Sequence, residues 1–73
     1  ITRLGRGTDV DIRVEDPGAS RNHCEIVLGS PAYLRDLDST NGTFHNGEQI
    51  TEVVLVEGSV VQIGATSLVF RSG

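Results

Sequence analysis

The sequence predicts an all-β chain folded as an antiparallel β-sandwich. Three observations carry that expectation: apolar and β-branched runs are short and broken by Gly, Asn, Asp and Pro, no stretch holds a helical period over three turns, and the breakers recur at close, fairly regular intervals. A parallel sheet would need crossover helices that this pattern lacks, so strands are expected to pair antiparallel in two packed sheets.

Strands are expected near residues 1–4, 11–14, 23–28, 32–37, 43–45, 48–50, 53–56, 59–63 and 67–71. Two of them alternate with a period of two residues. Cys24, Ile26 and Leu28 stand against His23, Glu25 and Val27, and Val61 and Ile63 against Val60 and Gln62, as in strands with one face in the core. Turns are expected at Asp16-Pro17-Gly18, Gly29-Ser30-Pro31, Asn41-Gly42, Asn46-Gly47, Glu57-Gly58 and Gly64-Ala65. Asn-Gly accepts the positive φ of a two-residue hairpin, and Asn46-Gly47 is read wholly that way. No internal repeat, low-complexity tract or linker interrupts the sequence, so function is expected from loops at one end of a single sandwich.

The 73 residues support one small domain with a modest core. No run reaches the roughly 18 apolar residues of a membrane span, and no charged-then-apolar leader opens the sequence. A soluble domain without direct membrane contact is therefore expected. The net charge of −4 argues against general nucleic-acid binding, which needs excess positive charge to displace counterions. Cys24 has no second cysteine to pair with and reads as a small buried apolar residue. All six basic residues are arginine, whose planar fork suits phosphate oxygens, and Arg6 and Arg21 lie inside the motifs that follow.

In Gly5-Arg6-Gly7 the flanking glycines let the backbone turn and leave Arg6 room to project, while the later glycine and helix of a dinucleotide site are missing. Taken alone, Arg6 reads first as a solvated charge at a strand end. In Ser20-Arg21-Asn22-His23 the serine falls in a loop and the histidine at the first strand position. A nucleophile and base pair is one reading, but an orienting carboxylate, an oxyanion hole and a cleft are not signalled. His23 is expected to be structural, its ring nitrogens bonding loop backbone and so holding Ser20 and Arg21. No metal is expected, since His23, His45 and Cys24 show no ligand spacing. Asn41, within the polar run 38–43, is either a turn former or a carboxamide able to pair with the backbone of a bound peptide.

Taken together, Gly5-Arg6, residues 16–23, Asp36-Leu37-Asp38-Ser39-Thr40-Asn41-Gly42-Thr43, Asn46-Gly47 and residues 57–64 resemble, in order and interval, the forkhead-associated domain, a phosphothreonine-binding module. The resemblance covers nearly the whole chain and implies one domain over residues 1–73, a β-sandwich of the SMAD/FHA-like type whose loops hold a phosphothreonine peptide in extended form. By position, Arg6 and Ser20 are implied to bind phosphate oxygens, Arg21 to add a phosphate or peptide contact, and Thr40 and Asn41 to supply phosphate-side and backbone contacts. Gly5, His23 and Gly42 are implied to be scaffold. No catalysis, cofactor or metal is implied. The implied partner is a threonine-phosphorylated protein or peptide in Ser/Thr-kinase signalling, and the implied location is cytoplasmic, alone or within a larger protein.

Two departures accompany the resemblance. Family members usually carry strands before the Gly-Arg segment, so the amino-terminal strands are expected to be absent, leaving a sheet edge open to self-association or completed from elsewhere. Residues 18, 19 and 64–67 offer no distinctive pocket or charge, so no target sequence is specified. The alternative is a sandwich of the same fold that binds a protein surface without phosphate.

Overall fold

The computed structural model describes residues 1–71, with nine strands: β1 (Thr2–Gly5), β2 (Ile12–Arg13), β3 (Cys24–Val27), β4 (Ala32–Asp36), β5 (Thr43–His45), β6 (Glu48–Ile50), β7 (Glu52–Leu55), β8 (Val60–Ile63) and β9 (Thr66–Val69). Each expected strand is present, with ends displaced by two residues at most. They form a five-stranded sheet, β2-β1-β3-β4-β7, and a four-stranded sheet, β6-β5-β8-β9.

One pairing departs from the antiparallel expectation: β1 and β2 are parallel, with Leu4 opposite Ile12 and Gly5 opposite Arg13. No helix is required, because β2 is two residues long and the chain has only to climb back that far. Asp11 fixes the return, its N–H donating to the Arg3 carbonyl at 3.0 Å and its carboxylate accepting the Arg3 N–H at 2.8 Å. As a result β1 is flanked on both sides, and the sheet edges among the described residues are β2, β7, β6 and β9.

Leu4, Cys24, Leu34 and Leu55 from the first sheet meet Val61 and Ile63 from the second in one core, joined by Val14, Ala19 and Ala32. Burying a leucine completely, as Leu4 and Leu34 are buried, contributes about 1.5–3 kcal/mol. Desolvation there pushes the Cys24 thiol up to about 12, so it is inert at neutral pH. Leu28, expected on the core face, is 64% exposed, because β3 ends at Val27 and the chain turns away before the alternation reaches it.

Register positions the loops. Leu4 pairs with Cys24, and Cys24 with Asp36, so the end of β1, the start of β3 and the end of β4 lie side by side. The loops that follow or precede them, residues 6–11, 14–23 and 37–42, therefore leave from one pole. Asn46-Gly47 forms the two-residue hairpin between β5 and β6, with φ of 49° and 90°, away from that pole.

Candidate functional site

The loops at this pole are tied into one surface by hydrogen bonds. The Arg6 and Gly7 N–H groups donate to the Ser20 and Arg21 carbonyls at 2.9 and 3.1 Å, lacing the first loop to the second. Gly5 is required by this close approach: a Cβ there would collide with the Arg21 carbonyl. Its φ is not positive, so proximity and not the sharp turn read from the sequence explains the glycine.

His23 joins the second loop to the third. Its Nδ1 accepts the Ser20 N–H at 2.9 Å and its Nε2 lies 2.9 Å from the Gly42 carbonyl. A backbone N–H can only donate and a carbonyl only accept, so the ring is neutral with its proton on Nε2. The ring is fully buried, and both nitrogens are taken by backbone. Neither remains to act as a base for the Ser20 hydroxyl, whose oxygen instead accepts the Thr40 N–H at 3.0 Å.

Two aspartates shape the rest, and neither was singled out as support from the sequence. Asp16 accepts the Gly18 N–H at 2.8 Å, the Ala65 N–H at 3.0 Å and the Thr66 hydroxyl at 2.7 Å, pinning the second loop to the β8–β9 turn. Those bonds, led by the one from Gly18, hold its carboxyl below the usual value. Gly64, at φ 59°, opens that turn where a Cβ would strike the Asp16 carboxylate. Asp36 accepts the Ser39 and Thr43 hydroxyls, each at 2.6 Å, and the Ser39 N–H at 3.1 Å. Burial alone would raise its carboxyl, but these bonds outweigh burial and lower it. Ser39 Oγ accepts the Gly42 N–H, fixing the third loop, in which Asp38 takes a φ of 57°. The legible signals were the Asp-x-Gly spacing of an Asx turn and an aspartate three residues before a serine.

Together these loops enclose an open depression of about 310 Å³, lined by Arg6, Pro17, Gly18, Ala19, Ser20, Arg21, Thr40 and Asn41. All five residues expected to contact ligand line it, whereas Gly5, His23 and Gly42 do not, His23 and Gly42 being bonded to each other and Gly5 packed against the Arg21 carbonyl. The Asn41 amide donates to the Gly18 carbonyl at 3.1 Å, which commits one of its donors to the fold and leaves Oδ1 to accept.

No carboxylate lines the depression, although the chain carries a net charge of −4. Four arginines are neutralised elsewhere: Arg3 lies 3.7 Å from Glu25, Arg13 3.5 Å from Glu15, Arg71 3.7 Å from Glu57, and Arg35 3.3 and 3.2 Å from Glu25 and Glu52. Arg6 and Arg21 have no acidic partner among the described residues, and both border the same depression. Such a surface can take an anion with several acceptor oxygens.

The FHA domain family model matches residues 2–64. The chain belongs to the FHA domain family. It is 42% identical over 69 residues to the FHA domain-containing protein FhaA of Mycobacterium tuberculosis, covering 93% of this chain and 13% of that protein. It is 42% identical over 74 residues to the glycogen accumulation regulator GarA of the same organism, covering 100% of this chain and 46% of that protein. The chain thus spans less than half the length of either relative. A solved FHA domain, studied for phosphothreonine-dependent interactions, superimposes with a TM-score of 0.93 at 40% identity over 99% of this chain and 76% of that one. Among the described residues of this FHA domain, no helix is long and apolar enough to cross a membrane.

Proposed function

We propose that residues 1–73 form one non-catalytic unit that binds phosphothreonine in an extended peptide segment of a partner protein. The observation that carries this reading is the pair of guanidiniums, Arg6 and Arg21, without acid partners among the described residues and beside one depression, while the other four arginines are ion-paired. A phosphate close to dianionic at neutral pH accepts the Arg6 fork and the Ser20 hydroxyl, whose oxygen is already occupied by the Thr40 N–H and whose hydrogen is left to donate. Arg21 adds a second cation. Thr40 borders the phosphate, and Asn41 Oδ1 accepts a peptide N–H. Gly5, His23 and Gly42 hold these groups in place without touching ligand. Occupation of both His23 nitrogens by backbone supports the absence of catalysis.

The ligand is the product of a Ser/Thr kinase, so the unit serves signalling in the cytoplasm, and neither nucleic acid nor a membrane surface is its partner. The methyl group of threonine adds about 0.8 kcal/mol over serine by burial and restricts χ1 before binding. Calorimetric titration with a phosphothreonine peptide selected from a degenerate library, alongside its unphosphorylated twin, tests the proposal. Binding of the phosphorylated member alone is expected. Equal affinity for the two would favour a phosphate-independent surface.

A further inference from the structure

The outer face of the five-stranded sheet carries two rows of side chains that the depression does not use. Direct register across β1, β3, β4 and β7 aligns Arg3, Glu25, Arg35 and Glu52, with successive pairs 3.7, 3.3 and 3.2 Å apart. The signs alternate, positive, negative, positive, negative. The next outward row is apolar, with Val27, Tyr33 and Val54 in register, Val54 being 51% exposed and Ile1, at the β1 end, 74% exposed. An outward row of aliphatic and aromatic side chains gains from being covered.

We infer that this face is where two copies of the chain meet, sheet on sheet, about a twofold axis running along the strands. Such an axis reverses the strand order, setting β1 over β7 and β3 over β4 of the second copy. Arg3 then faces Glu52 with both side chains about half exposed, and Arg35 comes over Glu25, which is buried between its own Arg3 and Arg35, each relation occurring twice, as an isologous contact requires. The apolar row falls on its own counterpart, with Val27 against Tyr33. The antisymmetry of the charged row is what fits it to itself: a row reading positive, negative, negative, positive would repel its own copy. A partner of uniform charge would meet like charge at half of the row, so the second copy is the occupant favoured. Twist angles aligned sheets by about 30°, which leaves β3 and β4 as the centre of the contact. Four strands of four or five residues make a small contact, so weak, transient association, on the order of 100 μM, is expected.

Sedimentation equilibrium on the 73-residue chain should show a mass rising towards twice the monomer as concentration passes into this range. Arg3→Glu and Glu52→Arg should each abolish the rise, and an equimolar mixture of the two should restore it, because the mixed pair regains opposite charges at both positions. Independently of any variant, amide shifts of the wild-type chain on dilution should map to residues 25, 27, 33, 35 and 54. A monomer persisting to millimolar concentration, folded variants whose mixture stays monomeric, or dilution shifts confined to the loops or to β9 would overturn the inference.

Discussion

Arginine serves opposite ends in two regions of this small domain. On the outer sheet face, Arg3 and Arg35 sit in register with Glu25 and Glu52, and charge is cancelled strand by strand. At the loop pole, Arg6 and Arg21 project from backbone laced tightly beneath them, and no acid answers them among the described residues. The difference lies in what surrounds each guanidinium and not in the residue type. Where a cross-strand neighbour is glutamate the charge belongs to the fold, and where the neighbours are Ser20, Gly18 and Asn41 it has no acid partner among the described residues, which is why we propose it for the phosphate.

The sharpest way to break this contrast is Arg6→Ala. Loss of a bidentate, charge-assisted contact is expected to weaken phosphopeptide binding by at least about 100-fold in calorimetry, with unfolding free energy changed by less than about 0.5 kcal/mol. Arg6→Lys is not expected to restore binding, since a point charge lacks the fork. Near-normal affinity for the lysine variant would show that geometry at residue 6 is immaterial.

His23→Ala should affect both properties. It strips the Ser20 N–H and the Gly42 carbonyl of a buried partner and leaves a void, which costs about 2–3 kcal/mol in urea denaturation. Binding should weaken as well, because the second and third loops lose their buried bridge and keep only the Ser20–Thr40 and Gly18–Asn41 bonds. A variant that loses stability while binding at full strength would show that the bridge does not position the site.

These two residues also show how the sequence divides. His23 was legible as a structural histidine because it sits between a polar loop and a strand, and the nine strands were legible because their breakers are frequent and their apolar runs short. The parallel β1–β2 pair was not, since it depends on Asp11 doubling back to the backbone of Arg3, a contact with no period or spacing of its own. Nor was the reason for Gly5, which arises from a carbonyl sixteen residues away in the chain. Asp16 and Asp36 were hidden for a related reason: each looks like an ordinary turn aspartate until the β8–β9 turn and Thr43 are folded against them. Pairing within a strand or turn can be read locally, whereas the lacing of the three loops is a property of the closed sandwich.

pH separates ligand from scaffold. A phosphate whose second pKa is near about 6 loses its dianion below that value, so affinity should fall about tenfold between pH 7 and pH 5 in fluorescence titration. The scaffold responds in a lower window. Asp16 and Asp36 are held below the ordinary carboxyl value of 3.8, so the folded state favours their ionised forms. Their contribution is complete above that value and is lost as pH falls below it. Weakened binding at pH 5 by a chain that is still fully folded, as read by circular dichroism, would separate the two. A constant affinity across the range would mean that the dianion is not the bound species.

The smallest effect is expected from Arg35→Ala on the sheet face. Its pair with Glu52 is exposed, and the Glu25 carboxylate, although buried, keeps Arg3 as a partner, so the loss should cost about 1 kcal/mol of stability, with phosphopeptide affinity unchanged. A substantial loss of binding here would dissolve the distinction between paired and unpaired arginines.

That distinction is tested most directly by NMR of the arginine Nε–H groups during titration with a selected phosphothreonine peptide. The Arg6 and Arg21 resonances should move together on binding while those of Arg3, Arg13, Arg35 and Arg71 stay in place. A peptide that binds with the Arg6 and Arg21 signals unmoved would contradict the account.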